Sequence, residues 1–453
     1  MTTRRALLIL GIVAVPSIGA YVAYRKGYFA HDNVNAVAIA ELKNKKLDQV
    51  PPAEPGSGWF QWRGPTRDGR APAGPLRTDW DKNPPKRLWR TECGGGFSSC
   101  AVVGGKLYTQ DRQGNNERII CLNAEDGKPL WEFTYPADYT GIDYNSGPRA
   151  TPTVEGDRLW AVGGRGELTC LRLPREPGEP VQKAWSKNLP QEFEAPLPQW
   201  GVACSPLMVG DMVVVQPGGK KGAVVAFDKQ TGDVRWASGS NPPGYSSAVV
   251  ASVEGQPTIL AFLGDALLAV RTDGKITDSF AWKTDVLGNI ATPLVVDDYV
   301  FISSAYGKGC ALLHAVKQGD EVKLLPVYDR RGRAFQSHHS ASVFKDRFLF
   351  GFSGMRDSAE LKCVAFDTGE VKEDWESGLK RGSGTIVLAD KHLIIQTEGG
   401  DLCLVEATPE EFRLVAKVPK VLSGKNNWAT PTLVDGRLYL RDEAQVVCYD
   451  VRP

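Results

Sequence analysis

An excess of charge of either sign is missing from this 453-residue chain, in which 54 basic residues stand against 53 acidic ones. Without a net field nothing draws it over distance to nucleic acid, and no basic cluster interleaved with aromatics supplies a local attraction. Nine cysteines include no C-x-x-C, no C-x-x-C-H and no adjacent pair, so dithiol redox and attached-haem chemistry lack their ligands. Triad motifs, phosphate loops, dinucleotide fingerprints and zinc-protease helices are also absent. Only 5 histidines occur, and "HDNVN" near the start is too short for a calcium loop. No metal site is expected.

Long apolar runs are limited to one. "ALLILGIVAVPSIGAYVAY" covers residues 6–24 without a charge, after Arg4 and Arg5 and before Arg25 and Lys26. Its length suits a membrane-spanning helix better than the shorter core of a cleaved signal. Residues 1–26 are therefore read as a signal anchor, with a removed signal peptide as the alternative. The rest would be exported, held at the periplasmic face of the inner membrane or released into the periplasm. Across 27–58, "AVAIAELKNKKL" suits a short amphipathic helix and "DQVPPAEPGSG" an exposed linker. The globular part is expected to be residues 59–453.

What the chain has in quantity is glycine (48), proline (30) and tryptophan (12), a mix that favours short strands joined by turns. The strands come as a repeat. A small or proline residue, an apolar stretch, a Gly/Asp turn and a second apolar strand recur from Ser98, Ala150, Cys204, Ser247, Ala291, His339, Ser383 and Ala429. The second strands, through Leu107, Leu159, Val213, Thr258, Val300, Phe348, Leu393 and Leu438, are spaced 42 to 54 residues apart. Four short strands per unit at that period predict an all-β, eight-bladed propeller. "PKRLWRT", with Trp89, is a fourth strand lacking its first three, and the carboxyl end stops after a third strand. Joining the two completes blade eight and removes the open edge.

Trp131, Trp185, Trp236, Trp282 and Trp375, with Tyr328 as a stand-in, mark the fourth strands and are read as wedges between blades. Cys121, Cys170 and Cys448 share one repeat position and suit small inward-facing side chains, as do Cys363 and Cys403. Cys93 and Cys100 flank "GGGFSS" at a separation that permits a bridge, in an exported chain where bridges form.

"DKQTGDVRW" (from Asp228) carries in full the D-x-x-T-G-x-x-x-W turn of the quinoprotein-type propeller repeat, and "NAEDGKPLW" and "DTGEVKEDW" carry variants. With "WFQWRGPTRDG" (residues 59–69) and the stretch from Tyr135 to Leu171, residues 59–453 resemble the PQQ-binding-like propeller proteins. That resemblance implies the fold, and it leaves function between alcohol and sugar dehydrogenases and a non-enzymatic outer-membrane assembly scaffold. A quinoprotein dehydrogenase would need a calcium site of carboxylate and amide oxygens, a catalytic Asp and an aromatic floor. The fourth-to-first-strand loops hold few carboxylates: Asp143, Glu192, Glu194 and Asp285, no two placed as a metal pair.

No catalytic residue or cofactor is therefore expected, with PQQ and calcium as the alternative. The candidate binding surface is Arg149, Trp200, Tyr245, Asn289, His338, His339 and Trp428 around one mouth of the channel. Alternation along a strand would let only one of His338 and His339 face it. The expected role is a non-catalytic cell-envelope scaffold for a protein or glycan, monomeric and without nucleic acid. A PQQ-dependent oxidoreductase, or a relative that binds PQQ without activity, is the second reading.

Overall fold

Strands of three to ten residues cannot bury both faces alone, so each hairpin pair must stack on its neighbours. A computed structural model describes residues 32–47 and 53–453 except 55, 73, 75, 177, 333, 334 and 381, and the expected anchor lies outside these. Among the described residues no helix is long and apolar enough to cross a membrane.

Eight antiparallel sheets form the wheel, six of them four-stranded. Blades 1 to 8 cover residues 101–136, 153–188, 207–238, 249–281, 294–330, 343–365, 385–418 and 432–450. Blade 8 takes its outer strand, Lys86–Glu92, from the amino-terminal side, with Trp89 opposite Cys448. The ring closes as its termini implied.

The tryptophans work as wedges through the turn glycines. Trp185 of blade 2 lies over Gly232 of blade 3, where an added Cβ would sit 2.7 Å from the indole. Trp236 meets Gly274 and Tyr328 meets Gly369 in the same way, at 2.7 and 2.6 Å. The indole of Trp236 also donates to Thr272 O at 2.9 Å, and the Tyr328 hydroxyl to Phe366 O at 3.0 Å. A β-bulge just before the aromatic position in the blade 2 and blade 3 outer strands turns the ring toward the next blade. Gly232→Ala should therefore lower stability by about 2 kcal/mol, since its φ of +77° disfavours a side chain and the ring leaves no room. A denaturant midpoint checks it, with Gly255→Ala, at an open turn of like φ, separating backbone strain from ring contact.

Two tryptophans depart from this plan. Blade 6 has only three strands, and Trp375, expected on a fourth, sits in irregular chain beside the edge. The trimmed "DTGEVKEDW" turn is too charged to continue an apolar strand. Its Lys372 N–H still bonds Cys363 O at 2.9 Å, and Trp375 still reaches the next blade at Thr408 O, 2.8 Å. Trp282 falls just past its strand, Ile276–Ala281, and donates instead to Ser304 Oγ at 3.0 Å.

The repeat's small-residue landmark has a role of its own. Thr430 N–H donates to Ser99 Oγ (2.8 Å), Ser99 N–H to Thr151 Oγ1 (3.2 Å), Thr151 N–H to Ser205 Oγ (2.9 Å) and Ser205 N–H to Ser247 Oγ (2.9 Å). This hydroxyl chain ties five blades around the axis and satisfies amides that no ladder reaches.

Two segments outside the repeat add to the wheel. Residues 59–71 cross and close one end of the channel. Trp59 pairs with Val102, Phe60 O accepts from Val154 N–H, and Gly69 O accepts from Leu388 N–H at 2.8 Å. Arg63, 2 % exposed, donates to Ala341 O and Ser342 O, while Arg67, 4 % exposed, donates to Ser205 O and Pro206 O. Trp62 Nε1–H bonds Thr292 Oγ1 at 2.8 Å. The plug thus touches blades 1, 2, 3, 5, 6 and 7.

The second segment corrects the expectation that the globular body starts near residue 59. Asn33–Val34 adds a fifth strand to blade 5, opposite Tyr328 and Asp329. Helix Ala36–Asn44 follows, capped by Asn35, and buries Ile39 and Leu42 against Tyr299 and Phe344 between blades 5 and 6. Arg347 donates to Leu42 O and Lys45 O, and Lys45 pairs with Asp298 at 2.7 Å. All nine cysteines are free, Cys93 and Cys100 included. Cys121, Cys170 and Cys448 are wholly buried.

Candidate functional site

Opposite the plug the channel is open. Fourth-to-first-strand loops and second-to-third-strand turns meet at that end, because antiparallel blades return both to the same face. They enclose a cavity of about 800 Å³, within the range of small-molecule sites. Trp62, Ala203, Ser205, Ser247, Ile290 and Thr292 form its inner end.

Its rim is a belt of rings. Trp200 packs on Tyr245 (4.8 Å between centroids) and stacks on Tyr306 (6.1 Å), and Tyr306 meets His338 edge-on at 5.5 Å. His338 meets His339 at 5.1 Å, His339 meets Trp428 at 4.8 Å, and Trp428 meets Phe97 at 5.1 Å and Tyr144 at 5.2 Å. Each contact orients its neighbour, so the belt is preorganised at little entropic cost.

Little charge faces inward. Arg149 stacks over Phe97 and spends its guanidinium on the carbonyls of Gly147, Asp143 and Tyr144, which shape its own loop. Burial pushes its pKa down, yet a guanidinium stays charged near neutrality. Asp143 accepts from Gln199 at 2.8 Å, and Arg356 contacts the Tyr144 hydroxyl at the outer rim. Burial holds His338 down at about 4 and pushes His339 well below its ordinary value. Both imidazoles are thus neutral at pH 7. Tyr306 Oη lies 2.9 Å from His338 Nε2, and the two Nδ1 atoms are 3.2 Å apart. His339 Nε2 is buried with no partner among the described residues.

Six of the seven candidate residues line this one cavity: Arg149, Trp200, Tyr245, His338, His339 and Trp428. Asn289 does not. It is wholly buried, donating to Leu263 O (2.7 Å) and Trp282 O (2.8 Å) and accepting from Ser304 Oγ (2.7 Å). Its amide staples the loop whose Ile290 and Thr292 do reach the cavity. His338 and His339 both face it, because that segment is a bend and strand alternation does not apply. Sequence reasoning missed Trp62, Phe97, Tyr144, Tyr306, Met355 and Arg356. Phe97 and Tyr144 stood in loops already singled out. Tyr306, Met355 and Arg356 stand in second-to-third-strand turns, which share that face.

A calcium-quinone pair would find rings here but not ligands. Among the described residues Asp143 is the only carboxylate on the cavity wall, and they contain no group of three or more His, Cys, Asp or Glu that could hold a metal. The donor set does not fit that group.

The family model for outer membrane protein assembly factor BamB matches residues 77–173 and 143–373, more than half of the chain. The chain belongs to that family. BamB from Moraxella catarrhalis, a solved structure, superposes with a TM-score of 0.54 at 15 % identity, over 81 % of this chain and 99 % of that one. A quinohemoprotein alcohol dehydrogenase from Pseudomonas putida HK5 superposes at 0.59 and 14 %, over 92 % and 82 %. Another, from Comamonas testosteroni, does so at 0.59 and 12 %, over 92 % and 84 %. At such identities the likenesses show the fold alone. No curated protein matches the sequence. BamB-family membership agrees with the resemblance carried by the repeat turns.

Proposed function

We propose that the chain is a non-catalytic binding propeller of the cell envelope, which holds a protein or glycan partner at its aromatic-rimmed mouth. One observation carries this reading: the cavity is plugged at one end and rimmed by mutually packed rings, and its wall holds a single carboxylate among the described residues. Such a site offers contact area and orientation, and its described residues present no cluster that could hold a metal. Export by the apolar run at residues 6–24 would place it in the envelope, and the propeller would act as a monomer.

The ring belt is also what favours the second reading, a quinoprotein oxidoreductase or an inactive PQQ binder. Titrating the full chain with PQQ and calcium, while following tryptophan emission and dye reduction by small alcohols, separates the two. The expected outcome is no turnover. Saturable quenching with alcohol-dependent dye reduction would overturn the binding reading, and quenching without turnover would favour the inactive PQQ binder.

A further inference from the structure

We propose that the ligand of this cavity is a short neutral saccharide, inserted with its ring faces against the aromatic belt. This rests on the binding reading above and names its chemistry. Three features of the wall carry it.

The first is charge. Arg149 and Asp143 are both occupied, by the loop carbonyls and by Gln199, and the two imidazoles are neutral near pH 7. Arg356, the remaining ion, stands at the outer rim against the Tyr144 hydroxyl, so a phosphate, carboxylate or ammonium group that reached the inner end would meet only hydroxyls and rings there and lose much of its hydration without an ion pair. A neutral ligand avoids that penalty.

The second is the pattern of hydrogen-bonding groups. Ser205 Oγ and Ser247 Oγ accept from the amides of Thr151 and Ser205, and Thr292 Oγ1 accepts from the indole of Trp62. None of these three hydroxyls donates to a described residue, so each keeps its own proton for the cavity it lines. Three donors on the inner wall call for a ligand rich in acceptor oxygens. Ring ethers, glycosidic oxygens and hydroxyls provide them while remaining uncharged.

The third is shape. The plug closes the inner end, so the site takes a compact ligand or a chain end rather than a threaded segment. An extended peptide would pair its amides with a strand edge, yet the mouth is built of loops and turns, and its buried amides would meet a wall rich in donors. A pyranose has apolar C–H faces that lie flat on rings such as Trp200 and Trp428, with polar groups around its edge. That is the division of surface this cavity offers.

The test uses the full chain in a detergent without a sugar headgroup, titrated with maltotriose, cellotriose and the neutral N,N′,N″-triacetylchitotriose by calorimetry and tryptophan emission. At least one should bind with a Kd between about 10 μM and 1 mM. Raising the salt to about 0.5 M should change that Kd by less than about twofold, because no charge pair is involved. Trp200→Ala should weaken binding by roughly tenfold. Trp200→Phe, which preserves packing on Tyr245 and Tyr306, should retain most of the affinity and guards against a folding defect. If none of the three binds at about 10 mM, the saccharide assignment is wrong. If an uncharged capped peptide then binds and Trp200→Ala abolishes that binding, the cavity is a peptide site and the broader binding reading stands. The broader reading falls to the PQQ titration described above, through alcohol-dependent turnover or through saturable quenching without it.

Discussion

Arg441→Ala should lower the stability of the wheel by roughly 4 kcal/mol, read as a fall in the urea midpoint with an unchanged slope. Arg441 sits at the seam where blade 8 meets blade 1 and is 1 % exposed. Its guanidinium donates to Ser98 O and Thr109 Oγ1, both at 2.8 Å, and to Gln110 O at 2.5 Å. Among the described residues no carboxylate pairs with it. Dispersed carbonyl dipoles hold the charge instead, as they hold Arg63 and Arg67 in the plug. Truncation removes the donor from three buried acceptors and leaves a side-chain-sized void. The same seam depends on Trp89 from the amino-terminal strand, whose indole bonds Ala124 O of blade 1 at 3.2 Å. Arg441→Lys keeps the charge but lacks the planar fork, so it should recover only part of the loss. A loss below about 1 kcal/mol for Ala would mean that closure rests on the strand pairing alone.

The wheel was legible because it is a repeat. One strand-turn-strand pattern, seen eight times, averages out copies that have decayed, and the unmatched pieces at the two ends count the blades. The wedges were legible for the same reason, although Trp282 and Trp375 show that a repeated residue can keep its burial while changing its partner or losing its strand. The plug and the amino-terminal strap were not legible as contacts. Each occurs once, and nothing in "WFQWRGPTRDG" states that its two arginines will bond carbonyls more than 130 residues away.

The site lies between these cases. Loop position pointed correctly to Trp200, Tyr245, Trp428 and the two histidines, since topology brings those loops to one end. Orientation is set locally, and there the reading failed: Asn289 turned inward as a staple, and a bend let both histidines face the cavity. Arg149 lies where expected but is committed to its own loop. Its charge is therefore no guide to the ligand.

The histidine pair sets the second large effect, a loss of stability on acidification between about pH 6.5 and pH 4. The direction follows from burial. His338 and His339 prefer the neutral form in the folded wheel, whereas in the unfolded chain they take up protons near pH 6.5. Below that value the unfolded state binds protons that the folded state does not, so stability falls with pH. For His338 the fall levels off below about pH 4, where the folded form is protonated too. Protonation also sets like charges on two rings whose Nδ1 atoms are 3.2 Å apart, with Arg356 at the same rim and only Asp143 as a carboxylate on the cavity wall. The pair should contribute on the order of 3 kcal/mol to this loss. Midpoints measured from pH 7.5 to pH 4 should show it, and the double variant His338→Gln, His339→Gln should flatten that part of the curve while carboxylates elsewhere titrate as before. An equal acid slope in the variant would show that the pair is solvated in the folded state and that the cavity does not hold its imidazoles neutral. Because the same rings form the belt, ligand binding should hold down to about pH 5 and weaken only near pH 4 and below, where the folded-state imidazole of His338 takes up its proton and a charged face replaces an uncharged one.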